Sequence, residues 1–295
     1  MSSKVRFHAC RPRPLQGTAT IRVVLVAAAL LLAGACGASP RPGEAAPPRA
    51  PGTGTDPAVG APTAAPGAPA AVVSLASGVR PAPRYQGVEA SNDGIGKVYL
   101  GREIAQVMGW QGAAWLEREE REQEERGSLL LKELQLAPGM VVADIGAGTG
   151  YYSRRIAPRV GPSGKVYAVD VQPQMVAMLE EVAKRPGLSN VIPVLGAADD
   201  VRLPEGSLDL AIMVDVYHEL EFPYEVLGSL VRAMKPGGRI VFVEYRAEDS
   251  FVPIKALHKM SEAQVKREAA VFPLQWARTA RSLPWQHVVI FTREP

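Results

Sequence analysis

Met140-Val-Val-Ala-Asp-Ile-Gly-Ala-Gly-Thr-Gly-Tyr-Tyr-Ser153 is the stretch that decides the fold. Met140 to Ile145 is a short apolar run without polar alternation, as expected of a strand buried on both faces of a parallel sheet. Gly146, Gly148 and Gly150 follow at spacing two, and the apolar positions Ile156 and Val160 predict a helix after them. In a strand–glycine loop–helix unit, backbone N–H groups and a helix N-terminus face a ligand. A plain strand–turn–helix would use the same glycines only for turning.

The ligand is not a dinucleotide pyrophosphate. The third glycine of G-x-G-x-x-G comes one residue early, with Tyr151 in its place, which excludes the nicotinamide fingerprint. Asp144, two residues before Gly146, would repel a pyrophosphate and suits a ligand carrying an ammonium group. D-x-G-x-G-x-G after an apolar strand resembles the nucleotide loop of class I S-adenosylmethionine-dependent methyltransferases. The resemblance implies that Asp144 serves the methionine end of the cofactor and that Gly146, Ala147, Gly148 and Gly150 let the backbone approach it.

The downstream pattern extends the likeness. Gly164 to Val171 reads as a second strand ending in Asp170, twenty residues after Gly150. An acid there, with Val171 beside it, can accept hydrogen bonds from both ribose hydroxyls of an adenosyl group. Pro173 to Arg185 predicts a helix with Pro near its start, and Asn190 to Leu195 a third strand. Family members often carry an acid directly after the next glycine. Here that position is Ala197, so the adenine contact falls to Asp199 or Asp200, or to the backbone. Leu208 to Val214 is a fourth strand, ending in Asp215-Val216-Tyr217-His218-Glu219 at the carboxyl edge of the sheet. Lys235-Pro236-Gly237-Gly238-Arg239 is a family signature leading into Ile240 to Tyr245. Ser261 is placed to cap a helix running to about Ala270, and Leu274–Ala280 and His287–Thr292 are the last strands. The resemblance covers Leu129 to Tyr245 well. It implies a Rossmann-like, doubly wound α/β sheet of seven strands in the order 3-2-1-4-5-7-6, the last antiparallel, with an N-terminal helical extension.

Four regions follow: a signal peptide or anchor (1–36), an Ala/Pro/Gly linker (37–84), a helical lid (85–128) and the methyltransferase domain (129–295). Basic residues Lys4 to Arg22 precede the apolar run Ile21 to Ala35, which is short for a membrane span. Ala33-Gly34-Ala35-Cys36 then resembles a bacterial lipoprotein signal, with Ala33 where Leu is usual. Membrane attachment through lipidated Cys36 places the chain at the cell envelope on its periplasmic face, and attachment through an uncleaved apolar run leaves it as a cytoplasm-facing anchored protein. A non-functional signal leaves it in the cytoplasm, where S-adenosylmethionine is made. The linker composition predicts disorder. Tyr85 to Gly112 is read as helical, and Ala113 to Leu136 as a further helix carrying Glu117–Arg121 and Glu122–Arg126 pairs. Trp110, Trp115 and Arg118 are placed as lid residues.

Residues 1–84 hold nine Lys/Arg against two Asp/Glu, whereas 85–295 hold twenty-four against twenty-eight. That slightly acidic body argues against a phosphate-tracking nucleic-acid surface, though not against a small local contact. The two cysteines, Cys10 and Cys36, lie upstream of the body. That leaves no disulfide framework, Cys-based zinc site or cysteine nucleophile there, and counts against the thiol-dependent arsenic methyltransferases, which share the fold.

The expected activity is methyl transfer from S-adenosyl-L-methionine to a small-molecule acceptor. The other reading is a non-catalytic binding module of the same fold at the envelope. His218 is the first candidate base, because an imidazole exchanges protons near neutral pH; Glu219 and Tyr217 follow. Asp215 is expected beside the transferred methyl. His218, His258, His287 and Glu244 show no H-x-x-H-type spacing, so no metal site is expected. Arg246 could hold an acidic substrate.

Overall fold

The computed structural model describes residues 84–295. The signal and lipidation readings, and the linker up to residue 83, lie outside the described residues.

The ten strands are β1 (Tyr85–Gly87), β2 (Gly94–Tyr99), β3 (Arg102–Ala105), β4 (Val141–Ile145), β5 (Lys165–Asp170), β6 (Val191–Leu195), β7 (Leu208–Val214), β8 (Met234–Tyr245), β9 (Leu274–Ala280) and β10 (Gln286–Arg293). The seven-stranded sheet runs β6-β5-β4-β7-β8-β10-β9, which is the expected order 3-2-1-4-5-7-6. β4 pairs in parallel with β5 and β7, and β10 is antiparallel to both β8 and β9. The helices are α1 (Ala113–Leu116), α2 (Arg121–Glu125), α3 (Gly127–Glu133), α4 (Ser153–Val160), α5 (Pro173–Ala183), α6 (Pro223–Ala233) and α7 (Glu262–Ala269). Strand alternation divides the core between two faces. Val142, Leu210, Ile212 and Val241 pack with Ile156, Val160 and Leu179, while Ala143, Ile145, Met213 and Phe242 pack with Leu227, Leu230 and Val265.

Two sequence expectations are corrected upstream of the sheet. Tyr85 to Ala105 is a three-stranded antiparallel sheet, β1-β2-β3, rather than a helix. Its hairpin turns on Leu100 (φ 46°) and Gly101 (φ 88°), and two positive φ angles suit the right-handed strand twist. The single helix expected from Ala113 to Leu136 is broken into α1, α2 and α3. Arg126 sits in the left-handed region (φ 51°, ψ 52°), because α2 bends to bring Glu125 inward. Its Oε1 accepts from Arg118 at 2.7 Å and from Tyr245 at 3.1 Å, and its Oε2 accepts from Arg121 at 2.8 Å. The expected Glu117–Arg121 pair does not form; Glu117 pairs with Arg154 across the glycine loop.

Lys235–Arg239, read as the turn before a strand at Ile240, is instead the first part of β8, with a register shift against β7. Ser261 Oγ accepts from the Gln264 N–H at 3.1 Å and caps α7. Among the described residues no helix is long and apolar enough to cross a membrane.

Candidate functional site

The carboxyl ends of β4, β5 and β7 open onto a cavity with two lobes, where an open α/β sheet places its ligand. One lobe, of about 490 Å³, is lined by Met108, Trp115, Leu116, Gly148, Asp215, Tyr245, His218 and His258. The other, of about 390 Å³, is lined by Val171, Ala197, Ala198, Asp200 and Leu220. Val107, Gly146, Asp170, Val216 and Glu219 border both.

The glycine loop forms the floor between the lobes. Gly146 (φ 67°) and Gly148 (φ 55°) hold positive φ, and a Cβ on Gly146 would sit 2.3 Å from Val216 Cγ2. Asp170 stands at the tip of β5. Its Oδ2 accepts from the Gly148 N–H at 3.0 Å and its Oδ1 from the Gln172 N–H at 2.9 Å. A carboxylate offers about four acceptor positions, so each oxygen keeps one for a ligand. Burial pushes the Asp170 carboxyl above its ordinary range.

Asp215 ends β7 at φ 53°, a strained conformation for a residue with a side chain. Its Oδ2 accepts from Gln286 Nε2 at 3.2 Å, whereas Oδ1 is buried without a partner. Burial, with Glu125 and Glu244 nearby, holds its carboxyl well above the usual carboxylate range. An ionised Asp215 therefore calls for a cationic ligand in the larger lobe.

His218 lies on the turn after β7, and its Nδ1 is 2.5 Å from Oε2 of the fully buried Glu244 on β8. Glu244 Oε1 accepts from the Tyr217 N–H at 3.0 Å. With the Nδ1 proton held by Glu244, His218 Nε2 is left on the cavity side, 3.3 Å from His258 Nδ1. Glu219 Oε2 accepts from the Met108 N–H at 3.1 Å.

Seven of the expected site residues line the cavity: Gly146, Gly148, Asp170, Val171, Asp215, His218 and Glu219. Five do not. Asp144 shares the face of Val142, and its Oδ2 accepts from Ser153 Oγ at 2.6 Å, so strand alternation turns it under α4. Ala147 donates its N–H to Val169 O at 2.9 Å and packs in the core. Gly150 makes room for Leu179, 3.0 Å from its would-be Cβ. Asp199 lies outside both lobes, and Asp200, the other candidate, lines the smaller one. The Tyr217 ring turns into the core against Phe242, with centroids 4.8 Å apart. Of the three lid residues, only Trp115 lines the cavity; Arg118 stacks on it and Trp110 does not reach it. Arg246 donates to the carbonyls of Leu283 and Gln286 and lines neither lobe. His287 does not join His218; its Nε2 is buried without a partner.

The sequence reading missed Gln172 and the strap it holds. Gln172 Nε2 donates to Met108 O at 3.0 Å and its Oε1 accepts from the Trp110 N–H at 2.7 Å. This fixes the chain leaving β3 across the cavity mouth.

Burial pushes the Asp144 carboxyl up to about 6. The folded state then binds this proton more tightly than the unfolded chain, whose aspartate titrates near 4. Folded protein holds more protons between about pH 4 and 6, so this group's contribution to stability falls as pH rises through that window. Asp144→Asn is expected to raise the melting temperature at pH 8 and to leave it little changed at pH 4. An equal gain at both pH values would refute the buried-charge account.

A sequence model of a methyltransferase-domain family matches residues 136–287, half of the chain. The chain belongs to that methyltransferase family. Its methyltransferase domain is 29% identical over 114 residues to a demethylmenaquinone methyltransferase of Geobacillus sp. (strain WCH70), covering 39% of this chain and 49% of that protein. It is 30% identical over 109 residues to a ubiquinone/menaquinone biosynthesis C-methyltransferase of Ectopseudomonas mendocina, covering 37% and 43%. The chain spans about half the length of the curated relatives it matches. A crystal structure of a SAM-dependent methyltransferase from Aquifex aeolicus aligns with a TM-score of 0.60 at 27% identity, over 63% of this chain and 100% of that one.

Proposed function

We propose that this methyltransferase domain transfers a methyl group from S-adenosyl-L-methionine to a small-molecule acceptor bound in the larger lobe. The observation that carries the reading is Asp170. It is buried at the tip of β5, its two oxygens are anchored by the Gly148 and Gln172 N–H groups, and it borders both lobes.

The residues present fit the cofactor. Asp170 can take the ribose hydroxyls, and Val171, Ala198 and Asp200 border the lobe suited to the adenine. Gly146 and Gly148 leave the backbone open to close approach. Asp215 borders the larger lobe, where a bound ammonium or sulfonium would favour the ionised form of its carboxyl. When bound, the cofactor supplies the activated methyl and its own leaving group. The protein's part is alignment and proton handling. His218, anchored by Glu244, presents Nε2 to the acceptor and takes its proton. Met108, Trp115 and Leu116 from the strap and α1 close the larger lobe against water. A non-catalytic binding module is less favoured, because it has no use for a buried His218–Glu244 pair aimed into the same cavity.

Asp170→Ala is expected to weaken S-adenosylhomocysteine binding at least ~30-fold by calorimetry, since two charge-assisted hydrogen bonds are each worth about 1.5–3 kcal/mol before partial replacement by water. Equal binding by variant and parent would remove the ribose assignment and the cofactor reading with it.

A further inference from the structure

The acceptor lobe contains three ligand atoms that the methyl-transfer reading does not fully use. Among the described residues, His218, Glu219 and His258 each offer one atom to a common point. His218 Nε2 lies 3.3 Å from His258 Nδ1 and 3.8 Å from Glu219 Oε1, and His258 Nδ1 lies 3.2 Å from Glu219 Oε1. A point equidistant from the corners of that triangle is about 2.0 Å from each, which matches zinc–imidazole and zinc–carboxylate bonds. Two of the ligands are also held from behind. Glu244 grips His218 Nδ1 at 2.5 Å, which leaves Nε2 as the lone-pair nitrogen, and the Met108 N–H holds Glu219 Oε2 at 3.1 Å. A carboxylate behind a ligating histidine is the usual outer support of a metal site, fixing tautomer and ring direction.

We propose that His218, Glu219 and His258 bind one divalent transition-metal ion on the acceptor side of the cavity. Two imidazoles and one carboxylate favour zinc, iron(II), cobalt or nickel over magnesium and calcium, which prefer all-oxygen sets. Three protein ligands leave at least one position open toward the lobe. Resting on the methyl-transfer reading, that position would take a hydroxyl or enol oxygen of the acceptor and lower its pKa. With the ion bound, the oxygen gives its proton to water, because the His218 lone pair is engaged, and the base role of His218 Nε2 is confined to the metal-free chain. The oxygen–methyl bond forms as the sulfur–methyl bond breaks, and the sulfonium leaves as a neutral thioether. Metal binding itself needs neither cofactor nor acceptor.

The test uses the full-length chain, stripped with a chelator and titrated with zinc chloride against a chromophoric competitor. One zinc per chain is expected, with affinity weakened at least ~100-fold in His258→Ala and at least ~10-fold in the isosteric Glu219→Gln. Cobalt(II) should give visible absorption bands in the parent and lose them in both variants, and thermal melts establish that each variant is folded. Zinc held equally tightly by parent and variants, or no zinc held by the parent, overturns the site. Calorimetry with S-adenosylhomocysteine on the stripped chain keeps the two readings apart. Cofactor binding without zinc binding removes only the metal site, and zinc binding without cofactor binding removes only the methyl-transfer reading.

Discussion

Gly146→Ala is expected to reduce S-adenosylhomocysteine affinity at least ~100-fold, or about 2.7 kcal/mol, and to destabilise the fold by about 1–3 kcal/mol. Two effects combine at this position. The backbone sits at φ 67°, and the new Cβ would lie 2.3 Å from Cγ2 and 3.0 Å from Cβ of Val216. Val216 borders both lobes, so relieving the contact displaces the wall against which the cofactor lies. Gly187→Ala is the control, since it has φ 78° with nothing within 4 Å of its Cβ. It should lose stability from backbone strain alone and bind the ligand as the parent does. Adding Val216→Ala to Gly146→Ala should recover part of the stability, because the contact goes and the strain stays. Undiminished affinity in Gly146→Ala would show that the loop does not lie against the ligand.

Glu268→Gln should lower stability by about 3–5 kcal/mol. For a folded unit of this size that corresponds to a fall of roughly 6–20 °C in melting temperature. Arg102 on β3 meets Glu268 on α7 in a two-pronged pair, Nε to Oε1 at 2.8 Å and Nη2 to Oε2 at 3.0 Å. Glu268 is fully buried and Arg102 nearly so, so the glutamine leaves an uncompensated guanidinium inside the protein. Exchanging both partners for apolar residues removes the buried charge, and Arg102→Met with Glu268→Leu should be more stable than either single variant. Arg102 Nη1 also donates to His218 O at 2.9 Å. Loss of the pair should therefore loosen the turn that carries His218. A near-silent Glu268→Gln would mean that the pair is solvated and that the N-terminal sheet is not fastened to the site.

Much of the site was legible because its signals are local. Gly146, Gly148 and Gly150, all at positive φ, sit in the loop directly after an apolar run, and Asp170 is the last residue of its own strand. Asp144 lies off the cavity lining because the strand's period of two sets it beside Val142 on the face under α4, which motif proximity alone does not convey. The strap was missed because Gln172 carries no signal of its own. Its partners, Met108 and Trp110, are more than sixty residues earlier and meet it only through backbone groups. The hairpin at Leu100-Gly101 did leave a trace, a glycine between two alternating runs, that the helical reading of 85–112 passed over. His258 and Glu219 are separated by α6 and β8, so no spacing rule could join them.

By itself the sequence placed the strands of the parallel core, the glycine loop and the acid at the end of β5, while the strand order was what the family resemblance implied. Hydrophobic period, glycine φ and strand ends are properties of neighbouring residues. Only the tertiary structure decided which way Asp144, Tyr217 and Glu125 point, and that His218, Glu219 and His258 share one point. Those outcomes depend on which buried polar atom finds a partner across the fold, and the low-dielectric interior enforces that choice at distances along the chain that no local pattern spans.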